Sequence, residues 1–82
     1  MATQAPVTVS SAWTSVFVGA FTGAIQNVGN TPLVANVQPT GSPPAAGAGG
    51  FAVYNTAVSV AVGASETLWV RSVGATGVVV LA

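Results

Sequence analysis

The chain has no cysteine, histidine, aspartate or lysine, and of its 82 residues only Glu66 and Arg71 carry a charge. Each absence closes a class of function. General acids and bases, metal ligands and activated nucleophiles are built mainly from His, Cys, Asp, Glu and Lys. Seven serines and nine threonines remain, with Glu66 as their only candidate base; a hydroxyl without a neighbouring base is a weak nucleophile. No enzyme is therefore expected. One carboxylate cannot supply a zinc or transition-metal ligand set, and a calcium ion held by carbonyls alone would lack anionic support, so no cofactor or metal is expected. Zero net charge with a single arginine argues against nucleic acid as a partner, because Lys and Arg carry most non-specific phosphate affinity. It argues equally against a polybasic membrane-surface segment.

Long hydrophobic runs are missing too. The longest candidates, residues 57–64 and 77–82, fall far short of the roughly 20 apolar residues that a spanning helix needs. No basic stretch precedes an apolar core at the N-terminus, which predicts no secretory signal and a chain made in a cytoplasm. Without cysteine there is no disulfide to staple a small domain, and without a metal the remaining source of added stability is oligomerisation or docking on a larger body.

The charge-free stretch covers the first 65 residues. A free-standing domain carries about 25% charged residues, mostly outside, which keep like molecules apart; this chain has 2%. Much of its outside is expected to be covered by other protein, with Ser, Thr, Asn and Gln solvating the rest.

What is present is β-forming. Sixteen valines, ten glycines and five prolines, against very little Glu, Lys, Leu or Arg, favour strands over helices. Alternation of apolar and polar residues places strands at 7–10 and 13–18, or one strand bent at 10–12, with Trp13, Ser15 and Phe17 on one face. A bend over 19–23 precedes a strand at 22–28, and Gly29-Asn30-Thr31-Pro32 forms a turn into a strand at 33–37. Residues 39–50 are the one long loop, rich in Gly and Pro. Strands follow at 51–54 and 58–62, and 67–73 and 78–81 are expected to close as a pair around Gly74-Ala75-Thr76-Gly77. The expectation is an all-β chain of seven or eight short strands, a compact antiparallel β-sandwich or small β-barrel. Residues 1–6 read as an N-terminal arm and 7–82 as a single β domain.

Five residues are candidates for an interface. Glu66 and Arg71 are five apart in one expected strand, and an odd separation puts them on opposite faces. Either both lie on the rim in water, or each finds a partner on another strand or subunit. Trp69 and Arg71 share a face. With Leu68 and Val70 inside, they form an outward pair of the kind enriched at interface hot spots; alternatively Trp69 belongs to the core and Arg71 snorkels at its edge. Pro43 and Pro44 mark the 39–50 loop as a docking tip or an inert linker. That loop lacks the Lys-Ser/Thr ending and following helix of a phosphate cradle. A glycan site would draw on Tyr54 with Asn55, or on Trp69 with Arg71.

Trp13-Thr14, then Ile25-Gln26-Asn27-Val28-Gly29 followed by Pro32 and Leu33, the Pro43-Pro44 loop into glycine, Leu68-Trp69-Val70-Arg71-Ser72 and the final Gly77-Val78-Val79-Val80 resemble small β-rich virion proteins of tailed bacteriophages, among them capsid decoration (cement) proteins and head-fibre components. The low charge departs from many of these. The resemblance implies a structural, non-enzymatic protein that binds the outer surface of an assembled capsid. Its partner would be the major capsid protein, its state a homo-oligomer with a trimer favoured, and its location the virion. A fibre, tail or baseplate module that adheres to a host surface is the alternative. A self-assembling β polymer is a third class, which the prolines and irregular aromatics disfavour.

Overall fold

The computed structural model describes residues 6–45, 49–54, 57–74 and 76–81. They form eight strands: β1 (Val7–Val9), β2 (Thr14–Val18), β3 (Phe21–Asn27), β4 (Leu33–Pro39), β5 (Phe51–Val53), β6 (Ala57–Val62), β7 (Glu66–Ser72) and β8 (Gly77–Leu81). Two four-stranded sheets result, β1-β8-β3-β6 (sheet A) and β2-β7-β4-β5 (sheet B), and every pairing is antiparallel. The expected all-β sandwich is what the chain adopts. Among the described residues no helix is long and apolar enough to cross a membrane. Apart from Pro6, the expected N-terminal arm lies outside the described residues.

The pairings follow a rule. β1 pairs with β8, β2 with β7, β3 with β6 and β4 with β5, as in one long hairpin whose tip is the loop between β4 and β5. Rolling that ribbon up adds the β3–β8 and β4–β7 pairings and splits it into two sheets, the eight-stranded jelly-roll arrangement. Six of the seven connections therefore cross from one sheet to the other, and only β4 to β5 stays within a sheet.

The alternating valines, leucines and isoleucine meet between the sheets. Val9, Phe21, Ile25, Val60, Val62, Val79 and Leu81 come from sheet A, and Leu33, Ala35, Val53, Leu68 and Val70 from sheet B. Gly77 lets β8 close against this core: a Cβ there would lie 2.4 Å from Leu33 Cδ2. Asn27 is the buried polar tie. Its Nδ2 donates to the Thr31 carbonyl (2.7 Å) and the Val53 carbonyl (3.1 Å), while its Oδ1 accepts from the Gly29 N–H (3.0 Å). One amide thus closes the expected 29–32 turn and links β3 of one sheet to β5 of the other.

Four expectations need correction. β7 and β8 do not pair with each other; they lie in opposite sheets, and the segment between them is an arch across the core, tied by the Val73 N–H to the Pro32 carbonyl (3.0 Å). Both strands bury alternate residues toward the same core, which opposite sheets permit. Likewise β1 and β2 belong to different sheets, the bend after Val9 serving as a crossover. The 19–23 bend is only two residues, because Gly19 at φ +97 completes the reversal and Gly23 already lies within β3. Finally, β4 runs on to Pro39. Pairing with β5 covers only Leu33, Val34 and Ala35, so further along, among the described residues, no strand pairs with that side of β4 and a residue without an N–H is tolerated there.

Candidate functional site

The outer face of sheet B gathers most of the candidate residues. On β7, Leu68, Val70 and Ser72 are buried toward the core, which leaves Thr67, Trp69 and Arg71 on the outside. Ser15 and Asn36 flank Trp69 in register on β2 and β4, and Val34 sits beside Arg71. Trp69 is therefore absent from the core between the sheets, and the side-by-side placement with Arg71 follows from strand parity. Both are half-buried, and two further parts of the chain meet this face.

The first is Trp13, just ahead of β2. The Arg71 guanidinium lies over its ring, 5.3 Å from the centroid, within the range of a cation–π contact. Parity alone puts Trp13 and Phe17 on one face, but the register of β2 against β7 shifts between Ser15 and Phe17. This bulge inserts an extra residue. Phe17 consequently packs against the core cluster, its ring 5.1 Å from that of Phe21, while Trp13 remains outside with Arg71.

The second cover is the Gly/Pro-rich loop. It leaves β4 through a turn at Gly41 (φ +89) and crosses the outer face until the Ala45 carbonyl accepts from Trp13 Nε1 at 2.9 Å. It returns with the Gly49 carbonyl accepting from Asn36 Nδ2 at 2.7 Å, and Gln38 Nε2 steadies Asn36 through its Oδ1 (2.9 Å). Thr40 and Thr67 join hydroxyls at 3.1 Å, which accounts for the burial of an outward-facing threonine. At Gly50 a Cβ would lie 2.0 Å from the Ala35 carbonyl oxygen, so this approach of the loop to β4 needs glycine. The loop is thus anchored to its own sheet along both described flanks.

Pro43 and Pro44 meet Ser11, Ala12 and Trp13 around a shallow surface recess. Trp13, Trp69, Arg71, Pro43 and Pro44 are accordingly brought into one neighbourhood. Trp69 Nε1 and Arg71 Nε lie buried there without a hydrogen-bond partner among the described residues. Glu66 is not part of it. It opens β7 on the core-facing parity, and its Oε1 accepts from the Gly63 N–H at 2.8 Å, closing the turn from β6. The two charges lie on opposite strand faces, as their spacing requires.

Sequence reasoning missed Trp13, Asn36 and Gly50 as parts of this face. The Trp13 bond joins residues 32 apart, and no local pattern carries such a contact. A separate apolar group lies at one end of the sandwich, where β3, β5 and β7 finish. There Tyr54 (60% exposed), Val73 (56%) and Val28 (50%) stand in solvent around the contact between Val73 and Pro32. Asn55, the expected partner of Tyr54, lies outside the described residues. Chemically, both surfaces offer rings, aliphatic groups and amide or hydroxyl hydrogen bonds, with Arg71 as the single cation. Comparison with protein-family models, with curated proteins and with solved structures finds no match for this chain.

Proposed function

We propose that the chain is a structural, non-enzymatic virion protein that binds the outer surface of an assembled phage capsid as a homo-oligomer and stabilises it. One observation carries this reading. A domain with two charges, one folded onto its own Gly63 turn and the other stacked on Trp13, leaves the large hydrophobic side chains Val18, Val28, Tyr54 and Val73 exposed. Such an outside is completed by contact with other protein. Many weak apolar and main-chain contacts, repeated over a lattice, supply avidity without charge. The jelly-roll arrangement is used by capsid domains, which supports the reading only as an analogy of fold.

The test is a titration of isolated capsids with the purified chain. Binding should saturate at a fixed multiple of the lattice sites, raise the temperature at which capsids disrupt, and change little with salt, because few charges take part. Capsids that neither bind the chain nor gain heat resistance would refute it. The recess of Ser11, Trp13, Pro43 and Pro44 beside Arg71 favours a second reading, an adhesion module of a head fibre, tail or baseplate. That reading requires binding to host cells or polysaccharide in the absence of capsids.

A further inference from the structure

A sandwich of two open sheets has four edge strands, and here they differ. β1 and β5 have three residues each. β2 has five, interrupted by the bulge between Ser15 and Phe17. Shortness and bulges are the devices that stop an edge from pairing with another chain. β6 has neither. It runs six residues, Ala57–Val62, in unbroken register with β3, and its sequence Ala-Val-Ser-Val-Ala-Val contains no charge, proline or glycine. Among the described residues its second side has no partner strand, leaving a row of main-chain donors and acceptors for another strand.

We infer that β6 is a self-association edge, along which two copies of this chain pair antiparallel across a two-fold axis and join their A sheets into one of eight strands. The composition of the edge selects a second copy as its occupant. Ala57, Ser59 and Ala61 point outward, with Thr22 and Ala24 beside Ala61 and Ser59 on β3. Glycine and these small side chains leave a shallow hollow on the face. A foreign strand is specified by deep side-chain pockets or by charges; this edge has no charge and only the shallow hollow beside it. Two copies facing each other meet small, neutral, identical side chains, and no like charges oppose them. Pairing also ends itself. Once β6 is used in both copies, the free edges of the joined sheet are the three-residue β1 strands, so the product is a dimer rather than a fibre or the trimer that the family resemblance favours.

This contact deepens the homo-oligomer part of the proposed function and does not depend on capsid binding, so the two are scored separately. The experiment is sedimentation velocity of the full chain over a wide concentration range, paired with hydrogen exchange at each concentration. The chain should pass from monomer to dimer, with β6 amides gaining protection as the dimer forms and β1 amides unchanged. Ser59→Lys with Ala61→Lys brings four lysines to one seam and should weaken self-association about tenfold or more. Thr8→Lys, on β1 of the same sheet, should leave it intact. A wild-type chain that stays monomeric throughout would overturn the inference. So would an oligomer that forms without protecting β6, a result readable on the wild type even if the lysine variant fails to fold.

Discussion

The two outer faces of this sandwich handle the same shortage of charge in opposite ways. Sheet B carries the larger groups outside, Trp13, Trp69, Arg71, Asn36 and Gln38, and the chain's own loop is laid over them and fixed by side-chain bonds to the Ala45 and Gly49 carbonyls. Sheet A carries Thr22, Ala24, Gln26, Ala57, Ser59 and Ala61 outside, and among the described residues no segment crosses them. One face is closed by the chain itself. The other is small, neutral and open along an unblunted edge. A charge-poor surface can therefore be made tolerable either by covering large side chains or by using ones too small to form a sticky patch.

The comparison can be broken at graded cost. The largest effect should come from the element that serves both sheets. Asn27→Ala removes three hydrogen bonds, one of them to the carbonyl of buried Val53, and a loss of about 3 kcal/mol in urea unfolding is expected. Next is Gly50→Ala. Its methyl would collide with the Ala35 carbonyl, a backbone atom, so the loop must lift; a loss of about 2 kcal/mol with a red shift of tryptophan emission should accompany it. An unchanged spectrum would mean that the loop does not cover Trp69. Trp13→Ala should cost about 1–2 kcal/mol through the lost stacking and indole bond. Trp13→Phe should recover only part, since the ring is kept and the donor to Ala45 is not. On the open face, Thr22→Lys in the dilute chain should shift stability by less than about 0.5 kcal/mol; a larger loss would show that sheet A's outside is also packed.

The same contrast separates what the sequence discloses from what it conceals. Period-two alternation was enough for most strands and for which residues of β7 share a face, Leu68 with Val70, Trp69 with Arg71, and Glu66 opposite Arg71; it left open which of the two faces is the core. It carries no information on which strands become neighbours. The run from β7 through Gly74 to β8 has the local look of a hairpin, yet it crosses the core, because pairing in a rolled ribbon is set by distance from the β4–β5 tip rather than by adjacency in the chain. The bulge in β2 is similarly silent, and it separates Trp13 from Phe17. Pro43 and Pro44 marked a loop correctly, but its return over sheet B depends on two distant bonds and on one glycine approaching a carbonyl.

The central claim is that other protein completes this surface. Its most direct test is the saturation of purified capsids by the chain, measured by co-sedimentation at low and high salt. The account predicts a plateau at a fixed number of copies per lattice site, little altered by salt. An absence of binding, or binding that rises without a plateau, would contradict it.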